Sequence, residues 1–235
     1  MPARRRPGPH VADGAYELVL AGERLLLHPA RAVLWPAAAM AIVADVHLGK
    51  EGVFAAHGMA VPRGPSRDDL TRLGELVDAH ACTRLLVLGD LFHGASGVDD
   101  ALLDAVTAWR AARPGVRLLA IAGNHDRPEL QARSAGLVEW CRDDLRERGF
   151  AFRHEPGVVP DAFVLAGHVH PVCRLGTVGR DRLRMPVFWQ RPGCLVLPAF
   201  GSFTGGWTLR PAPEDRLYGV GPDAVIPLKM LGALQ

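Results

Sequence analysis

The chain has 235 residues, 49% hydrophobic and 22% charged, which is enough apolar material to bury a substantial core within one domain. A formal charge of +2 does not by itself announce a nucleic-acid binder, and Lys50 and Lys229 are the only lysines among 27 cations. Four cysteines (Cys82, Cys141, Cys173, Cys194) without a CxxC pair suggest no disulfide scaffold, and no uninterrupted apolar segment fits a signal peptide or membrane span.

The expected location is therefore the cytoplasm, with no membrane partner. The arginine bias suits phosphate recognition through the planar guanidinium fork, although a codon preference explains it equally well.

Residues 1–13, rich in Arg, Pro and Gly, are expected to form a disordered basic arm ahead of a single domain over 14–235. Short apolar runs bounded by turn residues then predict buried strands: "YELVL", "RLLLH", "AVLW", "AIVAD", "RLLVLGD", "VRLLAIAGN", "AFVLAG" and "CLVLPAF". Between them, "SRDDLTRLGELVDAHA" reads as a helix opened by a capping box of Ser66 and Asp69, with Leu70, Leu73 and Val77 on one face. "VDDALLDAVTAWRAARP" repeats the pattern with Val98, Leu102, Ala105, Val106 and Trp109, and stops at Pro114. Alternating strands and helices with strand-rich ends predict an α/β layered (α+β) fold built on two packed sheets. Residues 172–228 are irregular and are expected to add further strands.

Four of the strand runs end in metal-binding residue types. These are Asp45 and His47; Asp90 and His93; Asn124, His125 and Asp126 after Gly123; and His168 and His170 after Gly167. Ligands gather outside the carboxyl ends of strands in α/β sheets, so the four ends can meet at one place. Residues i and i+2 of an extended segment point the same way, which pairs Asp45 with His47 and His168 with His170. Taken singly, each motif is an ordinary polar turn. Together they hold or adjoin six of the ten histidines, His154 included. Carboxylate, amide and imidazole donors suit manganese, iron or zinc.

In this order the motifs resemble the calcineurin-like metallophosphoesterase superfamily. The phrases "DVHLGK", "GDLFH", "GNHDR", "HEP", "AGHVHP", "RDRLRMPVFW" and "LPAFGSFTGG", over roughly Leu34 to Thr208, resemble the ligase-associated DNA-damage-response metallophosphoesterases of bacteria, the PdeM type. The resemblance implies a two-sheet β-sandwich flanked by helices and a dinuclear centre. Asp45, His47 and His170 would hold one ion; Asn124, His154 and His168 would hold the other; Asp90 would bridge them. It also implies manganese as the metal, with iron and zinc as alternatives. The implied activity is a phosphodiesterase acting as an endonuclease on single-stranded DNA in repair, where a ligase or helicase is a further partner. Two ions ~3.5–4 Å apart bind a phosphate's non-bridging oxygens and activate a water for in-line attack.

His125 is then assigned to stabilising transition-state charge or protonating the leaving oxygen, with Asp126 either orienting its ring or capping the following helix. His93 is expected to touch the scissile phosphate, with an open coordination site or orientation of Asp90 as the other roles. Lys50, Arg127 and Arg174 are candidate phosphate contacts, and Arg180, Arg182 and Arg184 a candidate rim; ordinary surface charge is the competing reading for each. Trp140, Trp189 and Phe203 are read as core residues rather than base-stacking platforms. Two other functions remain open from the residues alone: a small-molecule phosphodiesterase or phosphatase, and a metal-bound scaffold.

Overall fold

A computed structural model describes residues 12–62, 64–141, 144–175 and 183–228. All eight predicted runs form strands: β1 (Tyr16–Leu20), β2 (Glu23–His28), β3 (Ala32–Trp35), β4 (Met40–Val43), β5 (Arg84–Leu88), β6 (Arg117–Ile121), β10 (Phe163–Ala166) and β13 (Cys194–Val196). The remaining strands are β7 (Glu139–Cys141), β8 (Leu145–Glu147), β9 (Phe150–Phe152), β11 (Pro171–Leu175), β12 (Leu183–Arg191), β14 (Trp207–Thr208), β15 (Arg216–Val220) and β16 (Val225–Leu228). Most of the expected basic arm, residues 1–11, lies outside the described residues, while Ala12–Gly14 form one turn of 3-10 helix.

The first sheet runs β1-β2-β3-β4-β5-β6-β7, antiparallel as far as β4 and parallel from there on. The second has nine strands, with β14-β11-β12-β13-β10-β9-β8 in order and β15 and β16 branching from β12. Alternation along β4, β5 and β6 sorts their side chains between two apolar layers. Ile42, Leu86, Leu88, Leu119 and Ile121 face the second sheet, packing with Phe150, Phe152, Leu165, Phe188 and Leu195. Ala41, Val43, Leu85, Val87, Leu118 and Ala120 face the helices. Burial on both faces is why these strands read as continuous apolar runs rather than as alternating ones.

The helices are α1 (Lys50–Ala56), α2 (Pro65–Ala79), α3 (Asp100–Ala111) and α4 (Pro128–Arg133). Leu70, Leu73 and Val77 of α2 and Leu102, Val106 and Trp109 of α3 are buried against the first sheet, as their spacing predicts. The capping box is not formed. α2 starts two residues earlier on Gly64, and Ser66 and Asp69 have tertiary partners instead. The Ser66 hydroxyl donates to Glu51 Oε2 (2.8 Å) and accepts from the Gly49 amide (2.8 Å), while Asp69 accepts from the Ser202 amide (2.9 Å). α3 does have a side-chain cap, Asp99 accepting from Leu102 N at 2.9 Å.

Candidate metal centre

The parallel ladder of β4 and β5 continues beyond both strands into the loops that carry the first two motifs. Asp45 N donates to Gly89 O (3.1 Å), His47 N to Asp90 O (2.9 Å), Leu48 N to Leu91 O (2.9 Å), and His93 N to Leu48 O (3.0 Å). This register sets Asp45, His47, Asp90 and His93 side by side. The loop leaving β13 joins them, with Phe200 N donating to Ala44 O and Gly201 N to Asp45 O.

The ligand pairs do not converge by strand alternation. Among the described residues twelve non-glycine positions have positive φ, and five of them are Asp45 (53°), His47 (55°), Asp90 (50°), His168 (71°) and His170 (50°). Left-handed backbone is costly for such residues and concentrates at functional sites. It turns His168 toward His154 and His170 toward Asp45 and His47, so the ligands meet through these turns and not through the alternation of an extended strand. Gly89 (φ 82°) and Gly123 are required by close approach: a Cβ on the first would overlap the His154 ring, and on the second the Asp90 carboxylate.

One group of ligand atoms comprises Asp45, His47 and His170, all within 4.8 Å of one another. His170 Nε2 lies 3.3 Å from Asp45 Oδ1 and 3.4 Å from His47 Nε2. A second comprises Asp45, Asp90 and His154. His154 Nε2 lies 3.0 Å from both Asn124 Oδ1 and His168 Nδ1, and 3.7 Å from Asp90 Oδ2. Asp90 Oδ2 is also 3.8 Å from His47 Nε2, so this carboxylate stands between the two groups. Asp45 shares that position, its Oδ2 accepting the His168 amide at 2.8 Å.

The donor set fits divalent cations on grounds internal to the protein. Asp45 is fully buried, and its Oδ1 has no hydrogen-bond partner among the described residues. His154 Nδ1 lies 3.1 Å from the Leu88 carbonyl, which can only accept, so in the neutral ring the lone pair on Nε2 points at the Asn124 oxygen. Two facing lone pairs repel unless a cation sits between them. Burial is the main cause of every resolved shift here: it raises the Asp90 carboxyl above its ordinary range and lowers the His47 imidazole, whose neutral form is the ligating one.

Asp126 has neither expected role, because it does not touch the His125 ring and α4 begins on Arg127 without a side-chain cap. Its buried carboxylate accepts the backbone amides of Leu91 (3.1 Å), Phe92 (2.8 Å) and Gly123 (3.0 Å), locking the second motif to the third. Burial lifts its pKa to about 6 against those three bonds. Each amide left unsatisfied would cost about 1–3 kcal/mol.

Of the roles expected for His93, orientation of Asp90 is not the one its ring is placed for, since it turns toward His47. Its Nδ1 meets His47 Nδ1 at 3.0 Å, and its ring stacks on His125 at 4.5 Å between centroids. Burial, reinforced by Lys50, lowers its pKa to about 4. His47, with Nε2 directed into the ligand group, donates from Nδ1 to His93, which leaves the His93 proton on Nε2. His93→Ala is expected to keep both metals and lose turnover by about 10–100-fold, the usual cost of removing a ligand's orienting partner. Metal content decides: a variant that binds one ion fewer makes His93 a ligand, as the convergence of His47, His93 and His125 also allows.

His125 donates from its amide to Asp90 Oδ1 (2.9 Å) and from Nδ1 to the His93 carbonyl (2.8 Å). Lys50 opens α1 with its ammonium 5.8 Å from the Phe54 ring centroid and within electrostatic reach of Asp90. Arg127 is exposed beside His125. Arg174 is not in the ligand cluster; it lines a neighbouring cleft with Trp189 and Trp207. Arg180 and Arg182 lie outside the described residues, and Arg184 donates to Gly206 O. Sequence reasoning missed Glu51 and Ser66, which brace the loop after His47, and the Phe200–Ser202 segment, which braces Asp45. No helix among the described residues is long and apolar enough to cross a membrane.

The profile of the calcineurin-like phosphoesterases matches residues 39–184, a span that holds every candidate ligand. The crystal structure of Pseudomonas putida nuclease MPE is similar to this chain at 36% identity, with a TM-score of 0.79, covering 91% of this chain and 100% of that one. A protein of unknown function from Aquifex aeolicus, AQ665, aligns at 18% identity and a TM-score of 0.41 over 56% of this chain and 78% of its own. No curated protein matches the sequence. The profile spans more than half of the chain, and the two mixed sheets, the helical layer and the strand-end clusters agree with it. The chain thus belongs to the calcineurin-like phosphoesterase family and is a metal-dependent hydrolase of phosphodiester bonds.

Proposed function

We propose that the chain is a manganese-dependent endonuclease acting on single-stranded DNA in bacterial DNA repair. The observation that carries this reading is two adjoining ligand groups that share Asp45, with Asp90 of the second also reaching His47 of the first, on a chain similar to a nuclease over that nuclease's whole length. Asp45, His47 and His170 would hold one ion, and Asn124, His154 and His168 the other, with Asp90 between them. Bound there, divalent ions supply Lewis acidity to the phosphodiester and to the attacking water.

The protein's own groups do the rest. His125 is tethered through Nδ1–H to the His93 carbonyl, so the proton it would deliver to the leaving oxygen is the Nε2–H of its imidazolium form, which returns to the neutral Nδ1–H ring. His93 presents Nε2–H as a donor to a non-bridging phosphate oxygen, its tautomer set by His47. Lys50 adds a cation on the same side, and Arg127 a second one at the rim. Asp126 keeps the Asp90 and Asn124 loops in register.

The test compares a single-stranded oligonucleotide with an aryl phosphodiester after EDTA treatment and manganese addition. Restored cleavage of both supports the proposal. Restoration on the aryl ester alone makes the protein a small-molecule phosphodiesterase, and on neither makes it a scaffold.

A further inference from the structure

A cleft is lined by Arg174, Trp189, Arg191, Trp207 and Arg210. Two of its lining residues are chain neighbours of ligands: Pro156 is two residues from His154, and Val169 lies between His168 and His170. Trp207 is 70% exposed and is the only aromatic among the large exposed apolar side chains of the described residues. Its backbone is fixed: Trp207 N donates to the His170 carbonyl (2.9 Å), and β14 pairs with β11 through Pro171 and Trp207. An indole in water on a backbone bonded to the His170 carbonyl gives up burial that tryptophan normally gains.

Arg174, Arg191 and Arg210 line this same cleft, are exposed and form no ion pair among the described residues. Trp189 is not available as a platform, because its indole donates to Asp215 (2.8 Å) and Arg191 stacks on its ring at 4.8 Å. A flat exposed ring with unpaired guanidinium groups beside it matches a strand whose bases are unstacked and whose backbone is anionic.

We infer that Trp207 is the base-stacking platform of the substrate strand, with Arg174, Arg191 and Arg210 holding its phosphates on the His170 side of the centre. This rests on the nuclease reading and adds to it a determinant for single strands, since a paired base already stacked on its neighbours offers no free face.

The test is the ratio of kcat/KM on a single-stranded oligonucleotide to that on an aryl phosphodiester, measured with the manganese-loaded enzyme. Stacking on an aromatic contributes enough per base that W207A should lower this ratio about tenfold or more, through KM, while W207F keeps most of it. Trp207 is largely exposed, so neither variant threatens the fold. A combined Arg174→Ala, Arg191→Ala, Arg210→Ala variant should flatten the salt dependence of KM by about 2 in log–log slope. A wild type that cuts the oligonucleotide while W207A shows an unchanged ratio overturns the platform alone. A wild type that hydrolyses only the aryl ester overturns the nuclease reading and the platform with it.

Discussion

Asp90→Ala is expected to abolish manganese-dependent turnover, by at least about 10⁴-fold, while the protein stays folded. The size follows from the position: Asp90 Oδ2 lies 3.8 Å from His47 and 3.7 Å from His154, so one carboxylate serves both ligand groups. Losing it removes several kcal/mol of transition-state charge stabilisation. The fold survives because the ladder bond from His47 N to Asp90 O is a backbone bond that the substitution keeps, and the carboxylate contributes no apolar packing. Its main local bond, to the His125 amide, is at a half-buried position. His168→Ala should behave alike for a different reason. The His168 amide that anchors Asp45 belongs to the backbone and stays, while the ring that meets His154 at 3.0 Å is lost. Manganese-induced gain in Tm is the second readout: it is present in wild type and reduced in both variants, since an ion that binds only the folded state stabilises by mass action. Full activity in either variant would remove that residue from the ligand set.

His125→Ala should lower kcat on DNA by about 10²–10⁴-fold with metal content unchanged, the range for loss of a positioned general acid. The discriminating arm is the leaving group. A DNA alkoxide must be protonated as it departs, whereas an activated aryl oxide leaves without a proton. The loss on an aryl phosphodiester should therefore be much smaller. An equal loss on both substrates would mean that His125 stabilises developing charge through its cation and does not transfer the proton. Loss of an ion would mean that it is a ligand, a role its amide bond to Asp90 and its tether to the His93 carbonyl do not require.

The fold was legible where burial imposed a pattern. β4, β5 and β6 are enclosed by a sheet on one side and helices on the other, and they read at once as strands. β7, β8 and β9 have three residues each, and β14 two, too few for any periodicity to emerge. α1 and α4 were missed because each is short and starts directly after a ligand loop, where the polar residues advertise chemistry rather than a helical face. The capping box failed because Ser66 and Asp69 have partners at Glu51 and Ser202, far along the chain.

The ligand types and their order were visible in four strand ends, but their geometry was not. Left-handed backbone at five of these positions is a tertiary outcome, and the meeting of His47 with His93 depends on the register of a parallel ladder between distant segments. Asp126 was misread because its three amide partners come from two loops. Trp207 gave no signal: a single tryptophan in a Gly-rich stretch looks like a core residue until its exposure is known.

If a two-ion centre drives DNA hydrolysis, manganese titration of the EDTA-stripped protein couples metal loading to cleavage. Bound manganese per chain and cleavage of a single-stranded oligonucleotide are followed together. Cleavage should rise to its plateau as two equivalents bind, and Asp90→Ala should show neither event. Cleavage that survives EDTA, or that reaches its plateau at one equivalent, would contradict a two-ion centre.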